Sequence, residues 1–138
     1  MQAHQATCVA IRGKGLLIEG PPGSGKSSLA LALIDRGAEL IGDDSVMLGE
    51  HDGKPIARPH PNTRGKLEVR NLGLLDYPVA GEVEVALVIL LDEDAPRFVE
   101  TCESVTRGGC KVPMLRLWPG SPVLHLRAEL ALERFGSG

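Results

Sequence analysis

The octet Gly20-Pro21-Pro22-Gly23-Ser24-Gly25-Lys26-Ser27 fits G-x-x-x-x-G-K-[ST] without a gap. A loop of this kind constrains the fold around it. Its N–H groups converge on a phosphate only when a strand delivers the loop and a helix start lies behind it. Both flanks are present. "GLLIE" (15–19) is a short apolar run, and "KSSLALALIDR" (26–36) is rich in Ala and Leu with no interrupting proline. Arg36 suits the negative end of the helix dipole, and Gly37 suits a left-handed cap. The octet is therefore expected to cradle a nucleotide, with Ser28 beside it. Lys26 would reach the β- and γ-phosphates, and the Ser27 hydroxyl would ligate Mg²⁺.

The rest of the chain reads as a mixed α/β pattern. "TCVAIR" (7–12) and "GLLIE" form a predicted hairpin around Gly13-Lys14. "AELIGDD" (38–44) is a predicted strand ending in two carboxylates, and two more strands are predicted around Asp52-Gly53. Residues 59–66 read as a surface loop, and 67–82 show no clean period. "VEVALVILLD" (83–92) is the strongest buried strand, because its apolar run is continuous and β-branched. "TRGGC" (106–110) reads as a turn, "VPMLRLWP" (112–119) as a strand, and 121–135 as a final helix capped by Ser121.

Composition narrows the function classes. With 138 residues the natural expectation is one domain, residues 1–138. The chain is 43% hydrophobic but only 3% aromatic, so its core must be aliphatic. A net charge of -3 argues against nucleic-acid binding and against a basic membrane patch. The longest apolar run, residues 85–91, is far too short to span a bilayer. Three cysteines without a CxxC pair support neither a disulfide framework nor a zinc knuckle. A cytoplasmic protein is expected.

A phosphate loop needs a nearby carboxylate for the metal or for the attacking nucleophile. The residues offer two places: Asp43-Asp44, and Asp92 at the end of the long apolar strand. Adjacent carboxylates repel each other, so the first pair calls for a cation or a proton-bearing hydroxyl. Pattern alone leaves both places open.

The run from Gly15 to Val46, "GLLIEGPPGSGKSSLALALIDRGAELIGDDSV", resembles the catalytic domain of the HPr kinase/phosphorylase family. "LEVRNLGLLD" (67–76) is similar to that family's signature, and "KVPMLRL" (111–117) to its Val-Pro loop. The resemblance implies a P-loop kinase domain similar to the nucleotide-binding part of phosphoenolpyruvate carboxykinase, with a mixed sheet and flanking helices. It implies ATP and Mg²⁺ as cofactors and a serine of the phosphocarrier protein HPr as target, with possible phosphorolysis in reverse and a hexameric assembly. By motif match Asp43 is implied as the base, Asp44 as a residue either just behind the reacting groups or touching the metal, Glu68 with Ser27 as metal ligands, and Arg116 as a group steadying the phosphate. Arg70 belongs to the same signature. Where the family carries glycine and histidine, this chain has Asn71 and Gln5, with His4 adjacent. His60 and Arg64 are further candidates for substrate contact, whereas His125 reads as a helix surface residue. Two rival readings stand beside this one. The first is a small-molecule kinase of the shikimate or gluconate type. The second is a nucleotide-binding module without catalysis.

Overall fold

A computed structural model describes residues 1–138. The elements in chain order are β1 (Gln2–His4), β2 (Thr7–Ile11), β3 (Lys14–Glu19), α1 (Lys26–Asp35), β4 (Glu39–Gly42), β5 (Val46–His51), β6 (Lys54–Pro59), β7 (Lys66–Val69), β8 (Gly73–Asp76), β9 (Val83–Leu91), β10 (Glu103–Arg107), β11 (Cys110–Leu117) and α2 (Leu124–Phe135). Nine strands form one sheet along the path β1-β5-β6-β9-β3-β2-β4, and β11 joins β9 to β10. Strands β7 and β8 form a separate hairpin.

β9 organises the sheet. One edge pairs in parallel with β3 over most of its length. The other edge is divided: Val83 and Glu84 pair antiparallel with β6, and Val88–Leu91 pair in parallel with β11. A strand paired on both edges and covered on both faces needs apolar residues at every step. The continuous run at 85–91 supplies them.

Side-chain alternation, reset in β9 by an irregularity between Val85 and Leu87, sorts the core into two clusters. Val9, Ile11, Leu16, Ile18, Leu87 and Ile89 face α1 and α2, through Leu29, Leu33, Ala128 and Leu132. Cys8, Ala10, Leu17, Val85 and Val88 face the opposite way, toward Val46, Leu48 and Ala57 of β5 and β6. Both helices thus contribute to one cluster, and strands cover the other face, which qualifies the expected flanking helices. The core is aliphatic, as the composition requires.

Several boundaries differ from the sequence reading. The first hairpin turns at Arg12-Gly13, both at positive φ, one residue earlier than expected. The Asp52-Gly53 turn is as expected, with both residues left-handed. Lys54–Pro59 and Lys66–Val69 take up the ends of the stretch around the predicted loop. Ser121 does not cap α2. Its Oγ accepts the Val123 N–H at 3.1 Å in a turn ahead of the helix, whose N-cap is Val123. β1, the β7–β8 hairpin and β10 lay outside the predicted elements.

Candidate functional site

The octet leaves β3 at Gly20 and enters α1 at Lys26. Gly23 and Gly25 lie at φ 79° and 103°, a backbone region open to glycine at little cost. No side chain caps the first turn of α1, so its N–H groups and positive dipole end face the loop's hollow. The Lys26 ammonium donates to the carbonyls of Gly20 at 2.9 Å and Pro21 at 3.2 Å. One of its three N–H donors remains for a ligand.

The carboxylate doublet closing β4 lies against this loop, and its two members have opposite surroundings. Asp43 is buried, and three donors occupy its oxygens. Oδ1 accepts the hydroxyls of Ser27 at 2.6 Å and Thr7 at 2.9 Å, and Oδ2 accepts the Glu68 N–H at 2.9 Å. Asp43 therefore joins the helix start, β2 and the β7–β8 hairpin at one point. Asp44 is exposed and lies at φ 65°, an uncommon place for a residue with a side chain. Its N–H donates to Thr7 Oγ1 at 3.3 Å. This kink lets adjacent residues serve different sides, one carboxylate packed inward and the other toward solvent.

A cleft of about 250 Å³ opens here, lined by Gln5, Thr7, Pro22, Gly23, Gly25, Lys26, Ser27, Ser28, Asp44, Glu68 and Arg70. Pro22 is its one apolar side chain. The structure thus brings together Lys26, Ser27, Ser28, Asp44, Glu68 and Arg70, with Asp43 directly beneath. Asn71 holds the left-handed conformation at φ 74° in the turn of the β7–β8 hairpin. Asn enters this region more readily than most residues, so the turn keeps its shape without glycine. Gln5 lines the cleft, whereas His4 points to Glu19, 2.8 Å away.

Asp92 and Arg116 lie on the opposite flank of the loop. Arg116 donates to Asp92 at 3.0 Å and to Glu103 at 2.7 and 3.4 Å. Its proton affinity is raised above the ordinary arginine range, first by Glu103 and then by Asp92. Asp92 is held below the usual carboxylate range by the Asp94 N–H and then by Arg116. Neither residue reaches Ser27, whose hydroxyl bonds Asp43. Sequence pattern left the two carboxylate places open, and the geometry joins Asp43 to the loop. His60 accepts the Asn62 N–H within its own turn. His60, Arg64 and His125 do not line the cleft.

Sequence reasoning missed Thr7, and it noted Gln5 only as standing where the family carries histidine. Thr7 is fully buried, and its hydroxyl donates to one aspartate while accepting from the next. The available signal was a hydroxyl residue opening an otherwise apolar strand. A second missed group sits just before the loop: Glu19 accepts two bonds from Arg107, each at 2.7 Å, besides His4. Burial pushes the Glu19 carboxyl up, but the Arg107 and His4 contacts together bring it below its ordinary value.

Comparison with known proteins places this geometry. The HPr Serine kinase C-terminal domain model matches residues 1–93. An HPr kinase/phosphorylase of Clostridium tetani is 49% identical over 70 residues, 51% of this chain and 23% of that relative. One of Mycoplasma mycoides is 29% identical over 138 residues, covering 95% of this chain and 43% of the relative. The chain therefore spans less than half the length of these relatives. The solved structure of the Hpr(Ser) kinase/phosphatase from Coxiella burnetii superposes with a TM-score of 0.85 at 28% identity, covering 96% of this chain and 95% of that one. The match of the family model to two thirds of the sequence, on a fold shared nearly end to end with a solved member, settles the family: this chain belongs to the HPr serine kinase C-terminal domain family.

Proposed function

We propose that the protein is an ATP- and Mg²⁺-dependent protein kinase that transfers a phosphoryl group to a serine of HPr. One observation carries this reading: the exposed Asp44 carboxylate shares a cleft with Lys26, Ser27, Glu68 and Arg70. A phosphate donor and an alcohol acceptor both find their partners there. Phosphoryl transfer through a loose transition state depends chiefly on positioning and charge stabilisation. Lys26 and the N–H groups of the loop and α1 offset the charge of the phosphates. The names of the relatives supply HPr as the acceptor, and the reverse reaction with inorganic phosphate uses the same groups.

The resemblance implied Asp43 as base. We assign that role to Asp44. Asp43 is buried with three donors on its oxygens, whereas Asp44 is exposed at the cleft. Asp44 would hold the serine hydroxyl in line and take its proton. Asp43 would fix the Ser27 hydroxyl and the start of β7. The residues fit Mg²⁺: Ser27 and Glu68 offer hard oxygen donors, and no cluster of three His, Cys, Asp or Glu makes an all-protein cage. Mg²⁺ typically takes one or two protein ligands besides phosphate oxygens and water, and would neutralise charge on the phosphates. Arg116 is left out of this machinery, because two carboxylates hold it on the far flank.

The reading includes the expected likeness to the nucleotide-binding part of phosphoenolpyruvate carboxykinase, a single domain over 1–138 and a cytoplasmic setting. No helix is long and apolar enough to cross a membrane. It includes self-assembly, supported by exposed Leu72 and Leu74 on the β7–β8 hairpin. The test is incubation with γ-labelled ATP and Mg²⁺, once with purified HPr and once with a panel of sugars and small acids. Label on an HPr serine is expected. Label only on a small metabolite would favour the small-molecule kinase, and nucleotide binding without any transfer the non-catalytic module.

A further inference from the structure

A second cleft, of about 510 Å³, lies on the β9–β11 flank of the phosphate loop. We propose that it seats the nucleoside half of the bound nucleotide. The inference rests on the nucleotide reading above and extends it to residues that reading does not use. The volume falls in the range of small-molecule sites, roughly 300–1,000 Å³. Loop residues 21–24 form one wall; the end of β9, Arg116 and Pro119 form the other. Pro22 and Gly23 line both clefts. A molecule anchored by phosphate at Lys26 and Ser27 therefore crosses these two residues to enter the second cleft.

The two clefts differ in the chemistry they accept. The phosphate cleft is apolar only at Pro22 and balances Lys26 and Arg70 against Asp44 and Glu68. The second has two carboxylates, Asp92 and Glu93, against one guanidinium, Arg116. That guanidinium is already engaged by Asp92 and Glu103. Such a balance disfavours a further phosphate and suits an uncharged polar group. Pro21, Pro22, Pro119 and the two leucines ending β9 add apolar wall, fit for a flat ring. Polar handles remain. Arg116 uses three of its five N–H donors, which leaves two for a ligand. A planar base with a hydroxyl-bearing sugar matches this set.

The test compares ATP with pyrophosphate, which has phosphates and no nucleoside. Amide hydrogen exchange on the full chain, with Mg²⁺ present, should show protection of residues 20–28 by both ligands. Only ATP should protect residues 90–94 and 116–120. In Glu93→Trp, at an exposed turn position, the bulky ring should change ATP affinity about fivefold or more and leave pyrophosphate affinity unchanged. Identical protection by the two ligands, or ATP-specific protection elsewhere, overturns the proposal while leaving nucleotide binding intact. If neither ligand protects residues 20–28, the nucleotide reading fails and this proposal falls with it.

Discussion

At the scale of single residues, the doublet separates two tasks that share a side-chain type. Asp43→Asn keeps the shape but turns an N–H₂ toward donors, against either the Glu68 N–H or the two hydroxyls. Leaving a buried donor unmatched costs about 1–3 kcal/mol. Asp43→Asn should therefore lower thermal stability and weaken Mg²⁺-nucleotide binding together. Asp44→Asn should leave folding and ATP binding near wild type and cut transfer by roughly 10²–10⁴-fold. Thermal denaturation beside a transfer assay separates the two. Loss of transfer with normal stability and ATP binding in Asp43→Asn, and retained transfer in Asp44→Asn, would return the base role to Asp43. The loop, the doublet and Glu68 were legible because each sits in a local motif. Their division of labour was not, since it depends on Thr7, which strand pairing brings to the end of β4 from 36 residues away.

The β7–β8 hairpin shows the same limit at the scale of an element. Its stretch gave no readable period because its leucines divide between opposite environments. Leu67 is fully buried, whereas Leu72 and Leu74 are 71% and 68% exposed. Outward leucines erase the alternation by which half-buried strands are recognised. β10 escaped for the converse reason: it is a short edge strand with charged ends, paired only with β11. Leu67 ties the hairpin to the α1 core cluster, and the next residue donates its N–H to Asp43. Leu67→Ala should destabilise the fold by about 2–5 kcal/mol, measured by urea unfolding. Because Glu68 and Arg70 share that hairpin, Mg²⁺-nucleotide affinity should fall as well.

At the scale of the whole molecule, the α/β pattern, the aliphatic core and the dominance of β9 were legible. Continuous apolar runs leave few alternatives to a strand buried on both faces. The cross-chain clamp at Glu19 was not, because it joins β1, β3 and β10 across 88 residues. It makes stability depend on pH. Glu19 is held below its ordinary range when folded, so its contribution is complete above that range and is lost as pH falls through the lower folded value. Asp92 and Glu103 shift in the same direction but are more exposed, so they add little. Glu19→Gln should therefore flatten the acid limb of the unfolding free energy against pH while lowering stability at neutral pH. A variant curve parallel to wild type down to the acid transition would rule out this role.

The resting place of the Lys26 ammonium, on the carbonyls of Gly20 and Pro21, bears on how a ligand is received. The loop is already curled, its cation parked on its own backbone. Arrival of an anion becomes an exchange of partners within a finished receptacle, with little chain left to organise at the moment of capture.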